Sequence, residues 1–275
     1  HRDPYRWSTE DIHLAAEMAE RTWATVENAR AQVELREANQ RKDEFLAMLA
    51  HELRNPLAPI SAAAEVMQSN PDPELVQRTS QVIGRQVRHM TGLVDDLLDV
   101  SRVTRGLVKL NKRPLEIREI IDHAVEQVRP LLEARGHRLL LEPALQAALV
   151  SGDENRLVQV IANLLNNAAK YTPHGGEIRV MTELRDHDVL VSVHDNGIGI
   201  PPELQPRVFD LFSQAERTSD RAQGGLGLGL ALVRSLAELH GGAVSCYSEG
   251  PDKGSRFIVR LPRLVQPAGG PADEQ

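Results

Sequence analysis

The chain has 275 residues, 41% of them hydrophobic, which is enough for two globular domains. Its formal net charge of -7 and its lack of a dense basic tract argue against nucleic-acid binding. The single cysteine, Cys246, excludes an internal disulfide and fits a reducing compartment, so we expect a cytoplasmic location. No apolar run reaches the roughly 18 to 20 residues that cross a bilayer, and the start "HRDPYRWSTED" indicates a piece of a longer protein.

The pattern of residues 1–37 predicts a long helix. "STED" at 8–11 has a capping-box pattern before a stretch free of glycine and proline. Apolar residues then stand seven apart, at Ile12, Ala19, Val26 and Val33, which predicts a parallel dimeric coiled coil. Charged residues interrupt this pattern, so a helix packed on a missing domain is the alternative.

The sequence pattern of residues 38–108 predicts a helical hairpin. The first helix carries an apolar stripe at Leu46, Leu49, Leu53, Leu57, Ile60, Ala64 and Met67. "NPDPE" at 70–74 ends it and starts the next helix, with Asp72 as the cap and Pro73 at the first helical position. The second helix carries its own stripe at Ile83, Val87, Met90, Val94, Leu97 and Ser101. Two such hairpins would bury their seams as a dimeric four-helix bundle.

His51 lies off the apolar stripe of "FLAMLAHELRNPL" (45–57). The beginning of a zinc-protease motif is present, but Asn55 stands where the second histidine ligand would be needed. On this helix alone, His51 is explained as an ordinary solvated histidine.

Residues 113–264 predict an α/β sandwich. The alternating patterns at 188–195 and 255–262 indicate strands, whereas 153–171 and 229–240 read as helices. The tail, 265–275, is rich in proline, glycine and acidic residues and reads as a linker.

Three segments of this domain carry unusual polar or glycine-rich patterns. "QVIANLLNNAAKYT" spaces Gln159, Asn163 and Asn167 four apart, which predicts amides facing one cleft where they can complete a magnesium shell. "HDNGIGIP" (194–201) ends a strand with Asp195, and its glycines allow a close approach of the backbone to a ligand, although "DNG" is also typical of a simple turn. "GGLGLGL" (224–230) opens a helix and is neither a Walker loop nor a dinucleotide fingerprint, but its free N–H groups can bind phosphate.

In this order the segments resemble the catalytic core of a two-component sensor histidine kinase, with residues 45–57 as the phosphoacceptor box. The second domain resembles the Bergerat fold shared with gyrase and mismatch-repair ATPases. "NLLNNAAKYT" is similar to the asparagine box, "DNGIGI" to the first glycine box, "FDLF" (209–212) to the phenylalanine box and "GGLGLGL" to the second glycine box. The resemblance covers residues 38 to 264.

The resemblance implies that His51 is the phosphoacceptor, attacking the γ-phosphorus of ATP, and that Glu52 accepts a proton from the ring or orients it. Asn55 occupies the position at which related proteins orient water to dephosphorylate a response regulator, although an ordinary polar residue before Pro56 explains it equally well.

The resemblance also implies a site for ATP and Mg²⁺. Asn167 and Asn163 would bind the metal, Asp195 would read adenine, and a mobile lid at 213–224 would close over the nucleotide. The remaining nucleotide-binding residues are Lys170, Tyr171, Gly197, Gly199, Phe212, Gly225, Leu226, Gly227, Leu228 and Gly229.

The implied partners are a second copy of the chain and the receiver aspartate of a response regulator. "RTWATVENARAQVELRE" (21–37) resembles the helix that leaves a GAF-type sensor domain, which implies an upstream sensor. The alternatives are a gyrase-type ATPase and a nucleotide-binding dimeric scaffold. Asn163 stands where such ATPases carry a water-activating glutamate, and His51 beside Glu52 argues against the scaffold.

Overall fold

The computed structural model describes residues 8–69, 72–211 and 227–264. These residues fall into two structural units, one ending at Leu57 and the other beginning at Ala58. The predictions for Phe212, Gly225 and Leu226, for the lid at 213–224 and for the tail at 265–275 lie outside the described residues.

The first helix, α1, spans Thr9–Gln68 and begins directly after Ser8, as the capping-box pattern predicts. It passes without a break through residue 37, so no change of secondary structure marks the predicted start of the hairpin there. Apolar side chains remain exposed along it, including Val26, Val33, Leu46 and Leu57.

The second helix, α2, spans Pro73–Thr104. Its start is the predicted one, because the Asp72 carboxylate accepts a hydrogen bond from the Leu75 N–H at 2.8 Å and Pro73 opens the helix. Val87 and Val94, from the predicted second seam, are exposed in the single chain. In the described part of the chain, no helix has the length and apolar character to cross a membrane.

The second domain contains seven strands and three longer helices among its described residues. They are β1 (Arg113–Glu116), α3 (Ile117–Ala134), β2 (Arg138–Glu142), β3 (Leu149–Gly152), α4 (Glu154–Tyr171), β4 (Glu177–Arg185), β5 (Asp188–Asp195), α5 (Gly229–Leu239), β6 (Ala243–Tyr247) and β7 (Ser255–Pro262). A 3₁₀ turn at Gln205–Arg207 precedes α5. The predicted strands at 188–195 and 255–262 and the predicted helix at 153–171 are confirmed, the helix to within a residue.

The main sheet has the strand order β2-β4-β5-β7-β6. The pairing of β2 with β4 is parallel and the other three pairings are antiparallel. In β5, alternate residues Val189, Val191 and Val193 are fully buried, because a strand points every second side chain to the same face. The helices α4 and α5 contact each other and the sheet, so the domain is the predicted α/β sandwich.

His240, at the end of α5, joins that helix to the start of α4. Its Nδ1–H donates to the Leu236 carbonyl at 2.7 Å, and its Nε2 accepts from the Asp153 N–H at 3.0 Å. Asp153 in turn caps α4, since its carboxylate accepts from the Arg156 N–H. Burial of the ring lowers the pKa of His240 below its usual value of 6.5.

The free energy of unfolding should therefore depend on the protonation of His240. Because the folded-state pKa is lowered, the unfolded chain binds the proton more readily, so the stabilisation is full above pH 6.5 and is lost as the pH falls from 6.5 towards the lowered value. We expect this residue to add a slope of at most about 1.4 kcal/mol per pH unit to wild-type stability. Urea unfolding between pH 7.5 and 5 tests it: His240→Gln should flatten the slope, whereas the exposed His174→Gln should not. Equal slopes in all three proteins would contradict the assignment.

Candidate functional site

The second domain contains a cleft of about 520 Å³. It is bounded by α4, by the segment after β5, by the start of α5 and by α2. Of the sequence-predicted nucleotide residues, the fold brings nine to this cleft: Asn163, Asn167, Lys170, Tyr171, Asp195, Gly199, Gly227, Leu228 and Gly229.

The amide side chains of α4 contribute one wall of the cleft. Asn163 and Asn167 both line it, and the Asn163 amide donates a 3.5 Å hydrogen bond to the Gly229 carbonyl. Asn166 also lines the cleft and is a residue that the sequence analysis missed. The expectation that Gln159 faces the cleft was wrong, because its amide instead donates to the Asp99 carboxylate of α2 at 2.8 Å.

Asp195 lies at the end of β5 and is buried, with 5% of its surface exposed. Its Oδ1 accepts from the Gly197 N–H at 2.8 Å, and its Oδ2 accepts from the Ser255 hydroxyl at 2.6 Å. Both donors fix the carboxylate in orientation at the cleft wall. Ser255 also lines the cleft, and the sequence analysis missed it.

The glycines after β5 allow close packing of backbone on backbone. A Cβ on Gly197 would lie 2.5 Å from the Tyr171 carbonyl oxygen, and one on Gly199 would lie 2.0 Å from the Gly250 carbonyl oxygen. Gly199 also has a φ of +68°, a conformation that glycine adopts readily. Gly197 packs against protein backbone and does not line the cleft, so the expected close approach to a ligand is corrected for this residue. Gly199 packs against backbone and also lines the cleft.

The opposite side of the cleft is the start of α5. Gly227 has a φ of +67° and precedes the buried Leu228, from which the chain turns into the helix at Gly229. The first N–H groups of a helix have no partner within it and, together with the helix dipole, they attract anions. At this side of the cleft, the backbone N–H groups at the start of α5 can therefore bind phosphate.

Lys170 supplies positive charge at the C-terminal end of α4. Its ammonium group lies 5.1 Å from the centroid of the Tyr171 ring, and both residues line the cleft. Tyr171 is 46% exposed, so it is accessible for contact with a ligand.

Residues of α2 form part of the same cleft, which the sequence did not predict. Arg88, His89, Gly92 and Leu93 line it. Arg88 and His89 are exposed side chains of one helical turn, and Leu93 is buried. The cleft thus includes residues from both sides of the linker that follows α2.

His51 lies in the first structural unit, exposed on α1. Asn55, one turn later, places its Nδ2 3.2 Å from Nδ1 of the ring. Because an amide nitrogen only donates, Nδ1 accepts this bond, and the proton of the neutral ring is then on Nε2. The neighbouring Glu52 is buried, with 5% of its surface exposed.

Within residues 8–69, 72–211 and 227–264, no three His, Cys, Asp or Glu side chains are grouped so as to hold a metal ion by themselves. A cation in the cleft would therefore need amide oxygens, such as those of Asn163 and Asn167, together with oxygens of a ligand and water. Mg²⁺ is commonly bound in this way, through one or two protein oxygens and substrate phosphates.

Two family models match the chain. Residues 41–106 match the His Kinase A (phospho-acceptor) domain, and residues 152–265 match the histidine kinase-, DNA gyrase B-, and HSP90-like ATPase. The first match contains His51 and all of α2, and the second contains α4, Asp195 and α5.

Among curated proteins, the chain is 38% identical over 237 residues to the adaptive-response sensory kinase SasA of Thermosynechococcus vestitus, covering 83% of this chain and 62% of that protein. It is 28% identical to ShkA, solved at full length in complex with AMPPNP, with a TM-score of 0.61 over 82% of this chain and 47% of that one. It is 25% identical to the histidine kinase ThkA, solved in complex with the response regulator protein TrrA, with a TM-score of 0.60 over 80% of this chain and 61% of that one.

A helical phosphoacceptor region followed by an α/β ATPase domain defines the class. The chain carries the catalytic core of a sensor histidine kinase. It spans 62% of SasA and 30% of the autoinducer 2 sensor kinase/phosphatase LuxQ of Vibrio cholerae.

Proposed function

We propose that this chain binds ATP in the cleft of its second domain and transfers the γ-phosphoryl group to His51, from which a response-regulator aspartate receives it. The observation that carries the proposal is the cleft itself, where a buried carboxylate, helix amides and a glycine-rich helix start converge in a chain that also has an exposed histidine in its phosphoacceptor region.

Adenine would be read by Asp195. A carboxylate held by Gly197 and Ser255 keeps free lone pairs, which can accept a hydrogen bond from the exocyclic amine of adenine. Lys170, Tyr171 and the segment Gly227–Leu228–Gly229 would contact the ribose and phosphates. Phe212, Gly225 and Leu226 would complete this set by resemblance to the family.

Magnesium would be held between the triphosphate and the amide oxygens of Asn167 and Asn163. These side chains fit the ion, because both line the cleft and neither competes with a carboxylate cluster among the described residues. When bound, Mg²⁺ neutralises charge on the β- and γ-phosphates during transfer.

The nucleophile of the reaction would be Nε2 or Nδ1 of His51, whichever has a free lone pair. With Asn55 donating to Nδ1, the ring proton is on Nε2, so neither nitrogen can attack. Attack by Nε2 requires the proton on Nδ1 and an acceptor there, such as the Glu52 carboxylate or the Asn55 carbonyl. A rearrangement of these side chains would therefore be needed to prepare the reactive tautomer.

In the transfer, the nitrogen of His51 forms a bond to the γ-phosphorus while the bond from this phosphorus to the β–γ bridging oxygen breaks. ADP leaves with the bond electrons, and the single N–H proton of the ring, on the nitrogen that does not attack, passes to Glu52 or water. Asn55, one turn after His51, would later orient a water molecule for dephosphorylation of the regulator.

We also propose that the chain forms a homodimer. Apolar side chains at the predicted seam positions are exposed in the single chain, for example Leu46, Leu57, Val87 and Val94. A second copy would bury them in a four-helix bundle, extended by a coiled coil of the N-terminal helices. A mass in solution equal to one chain, 30.5 kDa, would contradict this proposal.

The proposed organisation follows from these roles. Residues 1–37 would be a signalling helix below a GAF-like sensor, 38–108 the dimerisation and phosphotransfer domain, 113–264 the ATP domain and 265–275 a linker. The receiver of a response regulator would dock near His51; a partner of this kind is supported by the similar kinase ThkA, which was solved in complex with the response regulator protein TrrA. Because ATP and such receivers meet in the cytoplasm, we place the chain there.

Incubation with γ-labelled ATP and Mg²⁺, followed by addition of a purified receiver domain, tests this function. The chain should become labelled, EDTA should prevent it, and the label should pass to the receiver. Release of labelled inorganic phosphate with no protein-bound intermediate would instead indicate a gyrase-type ATPase.

A further inference from the structure

Asp99 of α2 makes a polar contact with the ATP domain. Its Oδ2 accepts from Arg156 Nη1 at 2.7 Å and from Gln159 Nε2 at 2.8 Å. Arg156 also donates to Gln159 Oε1 at 2.8 Å, so the three side chains form a closed triangle. We call this set, Asp99, Arg156 and Gln159, the α2 clamp.

The α2 clamp is well shielded for a contact between separate helices. Only 15% of the Asp99 side chain and 26% of the Arg156 side chain are exposed, so water screens the pair weakly. Burial raises the pKa of Asp99, but the hydrogen bonds from Gln159 and Arg156 lower it by more, and the net shift is downward. Asp99 is therefore ionised at neutral pH, as the clamp requires.

The α2 clamp can affect the nucleotide cleft because other residues of α2 line that cleft. Arg88 lies eleven residues before Asp99, which at 1.5 Å per residue is about 16 Å along the helix. Arg88, His89, Gly92 and Leu93 line the cleft. The helix α2 also contacts α5, whose first residues form the phosphate end of the cleft. The α2 clamp therefore fixes the C-terminal part of α2 on the ATP domain, and the middle of the same helix forms a wall of the cleft.

We propose that Asp99 is a positioning residue that docks the ATP domain on α2, and that docking adds Arg88 to the nucleotide site. This inference rests on the proposed binding of ATP in the cleft. Arg88 brings a cation to a cleft whose ligand carries phosphates, so the docked domain binds nucleotide more tightly than the undocked one. Loss of the clamp lowers the docked fraction, and the apparent affinity falls with it.

The full chain with AMPPNP and Mg²⁺ tests the proposal by two readouts, nucleotide affinity and hydrogen exchange. Asp99→Asn should weaken AMPPNP binding about three- to tenfold, the scale of one typical intramolecular hydrogen bond, because the neutral amide still accepts from Arg156 or Gln159. The control is Asp95→Asn, one turn earlier on the exposed face of α2, which should bind as wild type. The pair Asp99→Arg with Arg156→Asp, which reverses the charges, should recover affinity that each single change loses.

Hydrogen exchange separates failure of this inference from failure of nucleotide binding. In wild type, AMPPNP should protect amides at 195–200 and also at 88–93. In Asp99→Asn the first protection should remain at saturating nucleotide and the second should weaken. Protection at 195–200 without protection at 88–93 in wild type, or unchanged affinity in Asp99→Asn, would overturn the docking role; absence of protection at 195–200 would overturn ATP binding itself.

Discussion

Replacement of His51 by glutamine should abolish phosphorylation of the chain while leaving its nucleotide affinity unchanged. Glutamine keeps the size and polarity of an exposed helical residue but has no nitrogen lone pair able to attack phosphorus. The loss should exceed about a thousandfold, because without the nucleophile no alternative covalent step is available.

The matched control is His13→Gln, which changes an exposed histidine on the same helix. It should be labelled by γ-labelled ATP at the wild-type rate. Circular dichroism and AMPPNP affinity equal to wild type would show that His51→Gln has lost only the acceptor. Labelling of His51→Gln at more than a few per cent of the wild-type rate would contradict the assignment.

Replacement of Asp195 by asparagine should remove most of the affinity for ATP. The carboxylate accepts hydrogen bonds from Gly197 and Ser255 and would accept a third from adenine, whereas an amide offers one oxygen and a nitrogen that cannot accept. We expect a loss of about 10- to 100-fold, the scale of a hydrogen bond to a charged group. Isothermal titration with AMPPNP measures it.

Comparing ATP with GTP binding shows whether Asp195 recognises adenine or only supports the fold. Guanine has a carbonyl where adenine has its amine, so the wild-type carboxylate repels it, whereas the amide of Asp195→Asn can donate to it. The preference for ATP over GTP should therefore fall in this variant. Asp122→Asn, on the exposed face of α3, should change neither affinity nor preference. Equal loss of ATP and GTP binding would indicate that Asp195 only supports the fold.

Strand positions were predictable where every second residue of the strand is buried. In β5 and β7 every second residue faces the core, so "DVLVSVHD" and "SRFIVRLP" carry the period of two in their letters. The two-stranded pairing of β1 with β3 was not predictable in this way, because four-residue strands are too short to show a period.

The polar face of α4 shows the limit of spacing arguments. A step of four residues advances about 40° beyond one turn, so Gln159 and Asn167 point about 80° apart. Asn167 faces the cleft, while Gln159 reaches Asp99 on α2. Nothing local in the sequence distinguishes these two amides, since the difference depends on which neighbour packs against the helix.

The other site residues that the sequence did not predict depend on contacts between distant segments of the chain. Ser255 holds Asp195 because β5 and β7 pair in a register that places these residues opposite each other, 60 positions apart in sequence. The contribution of α2 to the cleft depends likewise on how the domain packs against that helix. Such pairings are set by tertiary packing, which a single sequence pattern does not encode.

The most direct test of the account is the chemical nature and position of the phosphoryl group after incubation of the wild-type chain with γ-labelled ATP and Mg²⁺. The label should be lost in acid, survive in alkali and, after proteolysis at neutral or alkaline pH, lie in the peptide that contains His51. An acid-stable label, or one in a peptide without His51, would contradict phosphorylation of this histidine.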